Sequence, residues 1–330
     1  MIKVLFIRPS KSSFIQNDLK LLRKHFDVRV VDFILNRKDP KNTFKTVWDL
    51  ITGVVWADLT FSWFADVHAY WAVRLSKIFR KKSIVVVGGY EVANVPGIGY
   101  GAVINPKTFN IVNYAIDNAD IVLTVDESLK KDAIKNYGIK EENILTLPTG
   151  YDHEFFKPEG KKENLVITVS YIDNVVIKRK GLDNFVKTAF SLPDVNFIII
   201  GPDLDGSADS LKDIAPPNIK FINYLPQNEL LNWYQNSKVY CQLSRYEGLP
   251  NALCEAMLCE CVPVGTEYCG IPNAIGDTGF YVPYNDPEAT ADAIKKALLS
   301  DMGKEARARI IEKFPVSKRE EILEDIIENL

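Results

Sequence analysis

The chain has 330 residues, 47% of them hydrophobic and 25% charged, with a net charge of −3. That length suits two domains of roughly 150 residues each, and the composition excludes a disordered, collagen-like or low-complexity chain. No uninterrupted apolar run approaches the ~20 residues that a membrane-spanning helix needs.

The opening, MIKVLFIRPS, reads as a first strand and not as a signal peptide. Ser12 or Ser13 then caps a helix whose apolar face is Ile15, Leu19, Leu22 and Phe26. The runs 28–33, 58–63 and 83–89 read as strands, with a helix from about Val67 to Phe79 before the last. Residues 120–125 form a further strand, followed by a helix with Asp126 as cap and Gly138 as stop. Residues 144–150 close this half. Up to residue 157 the chain holds 22 Lys and Arg against 17 Asp and Glu, a net of +5, and the remainder carries −8. A basic first half suits an anionic partner or surface, or is an ordinary solvated excess; the acidic second half argues against nucleic acid.

Residues 152–164 are polar, with Pro and Gly, and read as a linker between a domain at 1–151 and one at 165–315. The second series has strands at 165–170, 196–202, 220–225, 239–244 and 262–266, and helices at 181–190, from about Pro250, and from Asp286 to about Leu299. The tail, 316–330, shows a Ser317–Glu320 capping box and a stripe of Leu323, Ile326, Ile327 and Leu330. Alternation of strand and helix in both halves predicts an α/β fold of two Rossmann-like domains facing across a cleft, with ligand at the carboxyl ends of the strands. The five cysteines, Cys241, Cys254, Cys259, Cys261 and Cys269, sit in apolar sequence. They read as buried thiols of a cytoplasmic protein, since their spacing fits neither a disulfide framework nor a zinc site.

The segment SRYEGLPNALCEAM, 244–257, carries the strongest chemistry. A strand ends at Ser244, Gly248-Leu249-Pro250 make a turn, and Pro250 suits a first helical position. The N–H groups of such a turn and helix start form an anion site suited to a diphosphate. Glu247 lies on the loop and can hold a sugar hydroxyl. Glu255, inside the helix, has two oxygens that can accept the hydrogen bonds of a ribose diol. In VVIKRKGLDNF, Lys178, Arg179 and Lys180 lie between a strand and its helix, where cations can counter a diphosphate or simply be solvated.

These segments resemble a known family. YEGLPNALCEAMLCECVPV is similar to the two-glutamate signature of retaining, nucleotide-sugar-dependent glycosyltransferases of the GT-B fold, the large family that includes sucrose-phosphate synthases and bacterial mannosyltransferases. KRKGLDNFVKTA resembles its basic loop, LPTGYDHEFFKP its inter-domain stretch, and VVGGYEVANVPGIGYG a motif of one subgroup. The resemblance implies that Lys180 and Arg179 contact the donor diphosphate, that Glu247 orients the donor sugar as the main catalytic group with Lys180, and that Gly248, Leu249 and Pro250 flank the donor. It implies further that Glu255 holds the ribose, that the first half binds the acceptor, and that the C-terminal helix returns to the first half. The chain departs from the family in having Ser170-Tyr171-Ile172 where an Arg is frequent, Asn273 where a Glu is frequent, and no His near Gly88-Gly89-Tyr90.

The implied reaction moves a sugar from a nucleoside diphosphate sugar to a hydroxyl of a glycan or lipid-linked acceptor, with retention and without a metal or other cofactor. A phosphate oxygen helps take the proton, and no enzymic nucleophile is needed. A sugar-nucleotide epimerase of the same fold and a non-catalytic sugar- or nucleotide-binding partner are the alternatives. Asp203-Leu204-Asp205 looks like a metal-binding DxD, but acidic residues are ordinary in such a polar loop. Asp66 and His68 are either a helix cap with an incidental imidazole or an acceptor-binding pair, and Gly88, Gly89 and Tyr90 are grouped with them as acceptor candidates. Residues 56–79 are rich in aromatics and run into Lys77, Arg80, Lys81 and Lys82. They read as core packing, as a stacking surface for acceptor sugars, or as a contact with the inner face of a membrane.

Overall fold

The computed structural model describes residues 1–33 and 40–330. The chain divides into two units, Met1–Gly150 with Val316–Leu330, and Tyr151–Pro315. Each is built on a six-stranded sheet whose strands all run parallel.

In the first unit the strands are β1 (Lys3–Arg8), β2 (Asp27–Asp32), β3 (Leu59–Trp63), β4 (Lys82–Val87), β5 (Ile121–Thr124) and β6 (Ile144–Thr146). Their order is β2-β1-β3-β4-β5-β6. The central strands are rich in Val, Ile, Leu and Phe, with Thr60 and Ser62 in β3, and are buried along almost their whole length, as parallel strands covered on both faces must be. The crossovers are α1 (Ser13–His25), α2 (Pro40–Trp56), α3 (Val67–Ile78), α4 (Pro106–Asn118) and α5 (Glu127–Tyr137). Leu5 and Ile7 of β1 pack with Leu50 and Val54 of α2 and Ala72 of α3. Asp66, Asn105 and Asp126 cap α3, α4 and α5 with their side chains. Ser12 precedes α1 without a side-chain cap.

The second unit has β7 (Glu163–Val169), β8 (Asn196–Ile200), β9 (Ile219–Ile222), β10 (Ser237–Gln242), β11 (Val262–Thr266) and β12 (Phe280–Val282), ordered β12-β11-β10-β7-β8-β9. Its helices are α6 (Asn174–Lys180), α7 (Leu182–Ala189), α8 (Ala208–Lys212), α9 (Gln227–Asn236), α10 (Asn251–Leu258), α11 (Ile271–Ile275), α12 (Pro287–Leu299) and α13 (Gly303–Lys313). Val166, Phe197, Ile199, Val239 and Val264 from the sheet meet Phe185 of α7 and Ile294 of α12 in the core. The basic run, read from sequence as a loop, is helical. Asp173 caps α6 by accepting the Val176 N–H at 2.7 Å, and Gly181 closes it at φ 64. A Cβ on Gly181 would stand 2.5 Å from the Leu243 carbonyl oxygen, so only glycine lets this turn lie against the end of β10. The segment read as a linker packs onto this unit. Phe156 is buried, and the Arg307 guanidinium donates to the carbonyls of His153 and Phe156.

The last helix, α14 (Val316–Glu328), belongs to the first unit. The expected Ser317–Glu320 capping box is absent. Ser317 lies inside the helix, and the Glu320 carboxylate accepts from Lys24 at 2.8 Å and bonds His25 at 2.9 Å on α1. Leu323 and Ile327 are buried as expected, Ile326 and Leu330 only partly, and the buried face also contains Arg319.

Candidate functional site

Strand order reverses between β7 and β10 in the second unit. At such a switch point the two crossover helices leave on opposite faces and open a crevice at the carboxyl ends of the strands. The chain leaving β7 leads into α6, and the chain leaving β10 leads into the Glu247 loop, so the basic run and the first glutamate converge there. Glu247 Oε1 accepts from Arg179 Nη1 at 3.1 Å, Lys180 Nζ at 3.1 Å, Ser244 Oγ at 2.9 Å and Gln242 Nε2 at 3.2 Å. The Arg245 N–H donates to the Arg179 carbonyl at 2.7 Å and ties the end of α6 to this loop. Burial pushes the Glu247 carboxyl up, but the charges of Lys180 and Arg179 and the hydrogen bond from Ser244 outweigh it and hold the group below its ordinary value. Burial depresses Lys180, with Arg179 adding to the effect and Glu247 opposing it. Glu247 is therefore a fixed anion between two cations.

Gly248 and Leu249 are buried, and Pro250 is the N-cap residue, one position earlier than expected. Helix α10 has no side-chain cap, so the N–H groups of its first turn remain for an anion. Glu255 lies on the buried side of α10, where its Oε2 accepts from the Tyr234 hydroxyl at 3.2 Å. Burial raises its carboxyl to about 8, against the hydrogen bond from Tyr234. Tyr234 is not among the sequence candidates. Its signal is faint, one of two adjacent aromatics, Trp233 and Tyr234, in an ordinary amphipathic helix.

In the first unit the order reverses between β1 and β3. A cavity of about 230 Å³ lies at that point, lined by Pro9 after β1, by Phe64, Asp66 and His68 after β3, and by Tyr90 and Glu91 after β4. Asp66 caps α3, accepting the Val67 N–H at 2.7 Å. His68 is buried and its Nε2–H donates to the Trp63 carbonyl at 2.6 Å. Burial lowers its pKa and keeps the ring neutral. Tyr90 is exposed at the cavity rim. Gly88 and Gly89 have another task, because their N–H groups donate to the buried Glu91 carboxylate at 3.1 and 2.8 Å. Glu91 also accepts from the Ala65 N–H at 3.3 Å and so joins the ends of β3 and β4. Glu91 is not among the sequence candidates either; an acid just after a Gly-Gly turn is the signal that finds it. The aromatic segment divides: Phe61 and Trp63 are core, Trp56 lies beneath Arg29 at 4.0 Å, and Trp71 and Phe79 are exposed.

The side chains of Asp203 and Asp205 are engaged in their own loop. Asp203 accepts from the Gly206 N–H, and Asp205 from Ser207 and Asn174. Among the described residues no group of three or more His, Cys, Asp or Glu is placed to hold a metal ion, and no helix is long and apolar enough to cross a membrane. Cys241, Cys254, Cys259 and Cys261 are buried and Cys269 is partly exposed, and none of the five is in a disulfide.

Residues 152–315 match the family described as "Glycosyl transferases group 1". Among curated proteins the chain is similar to O-antigen chain mannosyltransferase B of Escherichia coli, 21% identical over 58% of this chain and 55% of that one. It is also similar to D-inositol 3-phosphate glycosyltransferase of Corynebacterium aurimucosum, 25% identical over 56% and 50%. The chain thus spans about half the length of these curated relatives. Among solved structures, Anabaena Alr3699/HepE in complex with UDP-glucose superposes with a TM-score of 0.80 at 16% identity over all of both chains. Sucrose-phosphate synthase of Thermosynechococcus elongatus gives 0.79 at 14% identity, over 100% and 99%. The chain has the GT-B fold, and its residues 152–315 are a glycosyl transferases group 1 domain.

Proposed function

We propose that the protein transfers a sugar from a nucleoside diphosphate sugar to a hydroxyl of a glycan or glycolipid acceptor, with retention at the anomeric carbon and without a metal ion. The observation that carries this reading is the meeting, at the switch point of the second unit, of Lys180, Arg179 and Glu247 with a helix start that has no side-chain cap. As the glycosidic bond breaks, the sugar gains positive charge and the diphosphate gains negative charge. Lys180 and the first N–H groups of α10 suit the diphosphate, and Glu247 suits the sugar. Both requirements are met by groups held in place before the donor arrives. The cavity of about 200 Å³ at the ends of β8 and β9, lined by Gly201, Asp203 and Asn223 among others, suits the base. The first-unit cavity beside Asp66, His68 and Tyr90 suits the acceptor. HepE, solved with UDP-glucose, and the two transferases named above support the donor class by analogy.

The test is product analysis with a panel of nucleotide sugars. An α-configured donor is expected to give an α-linked product, at a rate that EDTA leaves unchanged. An inverted product would refute retention, and loss of activity in EDTA restored by a divalent ion would refute metal independence.

Glu255 supplies a pH signature. With its carboxyl raised to about 8, the group is protonated at pH 7, whereas a ribose diol donates to the ionised form. Donor affinity is therefore expected to rise about tenfold between pH 7 and pH 9, and Glu255→Gln to flatten that rise. Calorimetric titration of both proteins across the range decides it; a Glu255→Gln variant with the same pH dependence as the wild type would place the ribose elsewhere.

A further inference from the structure

Helix α2 is apolar on two faces. Thr46, Leu50, Gly53 and Val54 are buried, and Leu50 and Val54 pack on the sheet. On the opposite side Phe44, Val47, Trp48, Ile51 and Val55 recur at helical spacing, and this stripe is turned to solvent: Phe44 is 71% exposed, Trp48 58% and Val55 50%. The neighbouring α3 adds Trp71, 44% exposed, and Ile78, 65% exposed. Between the two helices lies an apolar groove of about 270 Å³ whose lining includes Val47, Ile51, Trp71 and Leu75.

The charges around this surface have one dominant sign. Lys41, Lys45, Arg74, Lys77 and Arg80 are exposed on α2, α3 and the turn that follows. Helix α3 contains no acidic residue and the described part of α2 contains one, Asp49. Among the described residues none of Lys41, Lys45, Lys77 or Arg80 forms an ion pair. The same run's Lys82 does, with Asp120 at 3.3 Å.

We infer that the exposed face of α2 and α3 docks on an anionic lipid surface, with Phe44, Trp48, Trp71 and Ile78 entering the interface and the lysines and arginines meeting the head groups. Aromatic and aliphatic side chains bordered by Lys and Arg are what such an interface selects. A second copy of the chain is the less suited occupant. Apposed on a twofold axis, the two copies would set the same cations against each other. The inference is independent of the donor chemistry, and its test does not involve turnover.

The experiment is co-sedimentation of the full chain with vesicles of phosphatidylcholine alone and of phosphatidylcholine mixed with phosphatidylglycerol. Binding to the mixed vesicles is expected, weakening as salt is raised. Phe44→Ser/Trp48→Ser is expected to lower the partition coefficient on the order of tenfold or more. Lys41→Gln/Lys45→Gln should do the same on mixed vesicles. Both pairs are exposed, so the melting temperature serves as the control for folding. Equal binding to neutral vesicles, no binding to either, or a dimer in sedimentation equilibrium that the Phe44/Trp48 variant dissociates would each overturn the inference.

Discussion

Glu247→Gln is expected to lower turnover by about 10²–10³-fold while donor affinity changes by less than about tenfold. The substitution keeps the shape of the side chain and its hydrogen bonds with Ser244 and Gln242. It removes the negative charge that lies beside the donor sugar in the proposed complex, where positive charge develops only as the bond breaks. A group that acts there contributes to the rate more than to binding. Lys180→Ala is expected to show the opposite split, with affinity falling first, because a diphosphate is already charged in the ground state. Alanine at position 247 is a poorer probe, since it removes, along with the charge, the oxygen that accepts from Arg179, Lys180, Ser244 and Gln242. Steady-state rates and calorimetric affinities for the Gln variant decide the matter. A turnover number that stays at the wild-type level, or an affinity loss as large as the rate loss, would remove Glu247 from its proposed role.

Most of the strands and about half of the helices are legible in the sequence, where periodicity and end signals agree. Continuous Val/Ile/Leu runs mark strands buried on both faces, Asp126 and Asp286 stand where caps belong, and Gly138 ends α5 in the left-handed conformation. Lys180 and Glu247, 67 positions apart, stand out by residue type and local context. That both fall at one crevice depends on β10 pairing with β7, which no local pattern reports. That limit explains only part of what a local reading misses. A charged run reads as the loop between a strand and its helix until Asp173 and Gly181 are seen to bracket a short helix. Glu320 reads as half of a capping box until α1 brings Lys24 and His25 to it. Gly88 and Gly89 are grouped with the acceptor candidates, but their N–H groups are taken by the chain's own Glu91. Asp173, Gly181 and Glu91 are near neighbours in the chain, but the partners of Glu320 lie 296 and 295 positions away, where no local rule reaches.

Arg319 is the largest such case, and its removal is expected to be costly. Its Nε and Nη2 donate to the two oxygens of Asp18 at 2.6 and 2.7 Å, and its Nη1 donates to the Leu147 and Pro148 carbonyls at 2.7 and 2.8 Å. Trp63 Nε1 donates to Asp18 Oδ2 at 2.8 Å. Arg319 and Asp18 are both almost fully buried, so neither charge can turn to water when its partner is lost. Arg319→Met alone leaves a buried carboxylate with only the Trp63 donor, and Asp18→Leu alone leaves a buried guanidinium. Each is expected to lower stability by ~3–5 kcal/mol. The combined variant removes both charges and is expected to be more stable than the sum of the single losses by at least ~1 kcal/mol. The residual loss reports the Trp63 N–H and the two carbonyls left without Arg319. Urea unfolding of the three variants measures each term. Single-variant losses below about 1 kcal/mol would mean that water reaches the pair, and that α14 is held by Leu323 and Ile327 and by the surface contacts of Glu320 with Lys24 and His25.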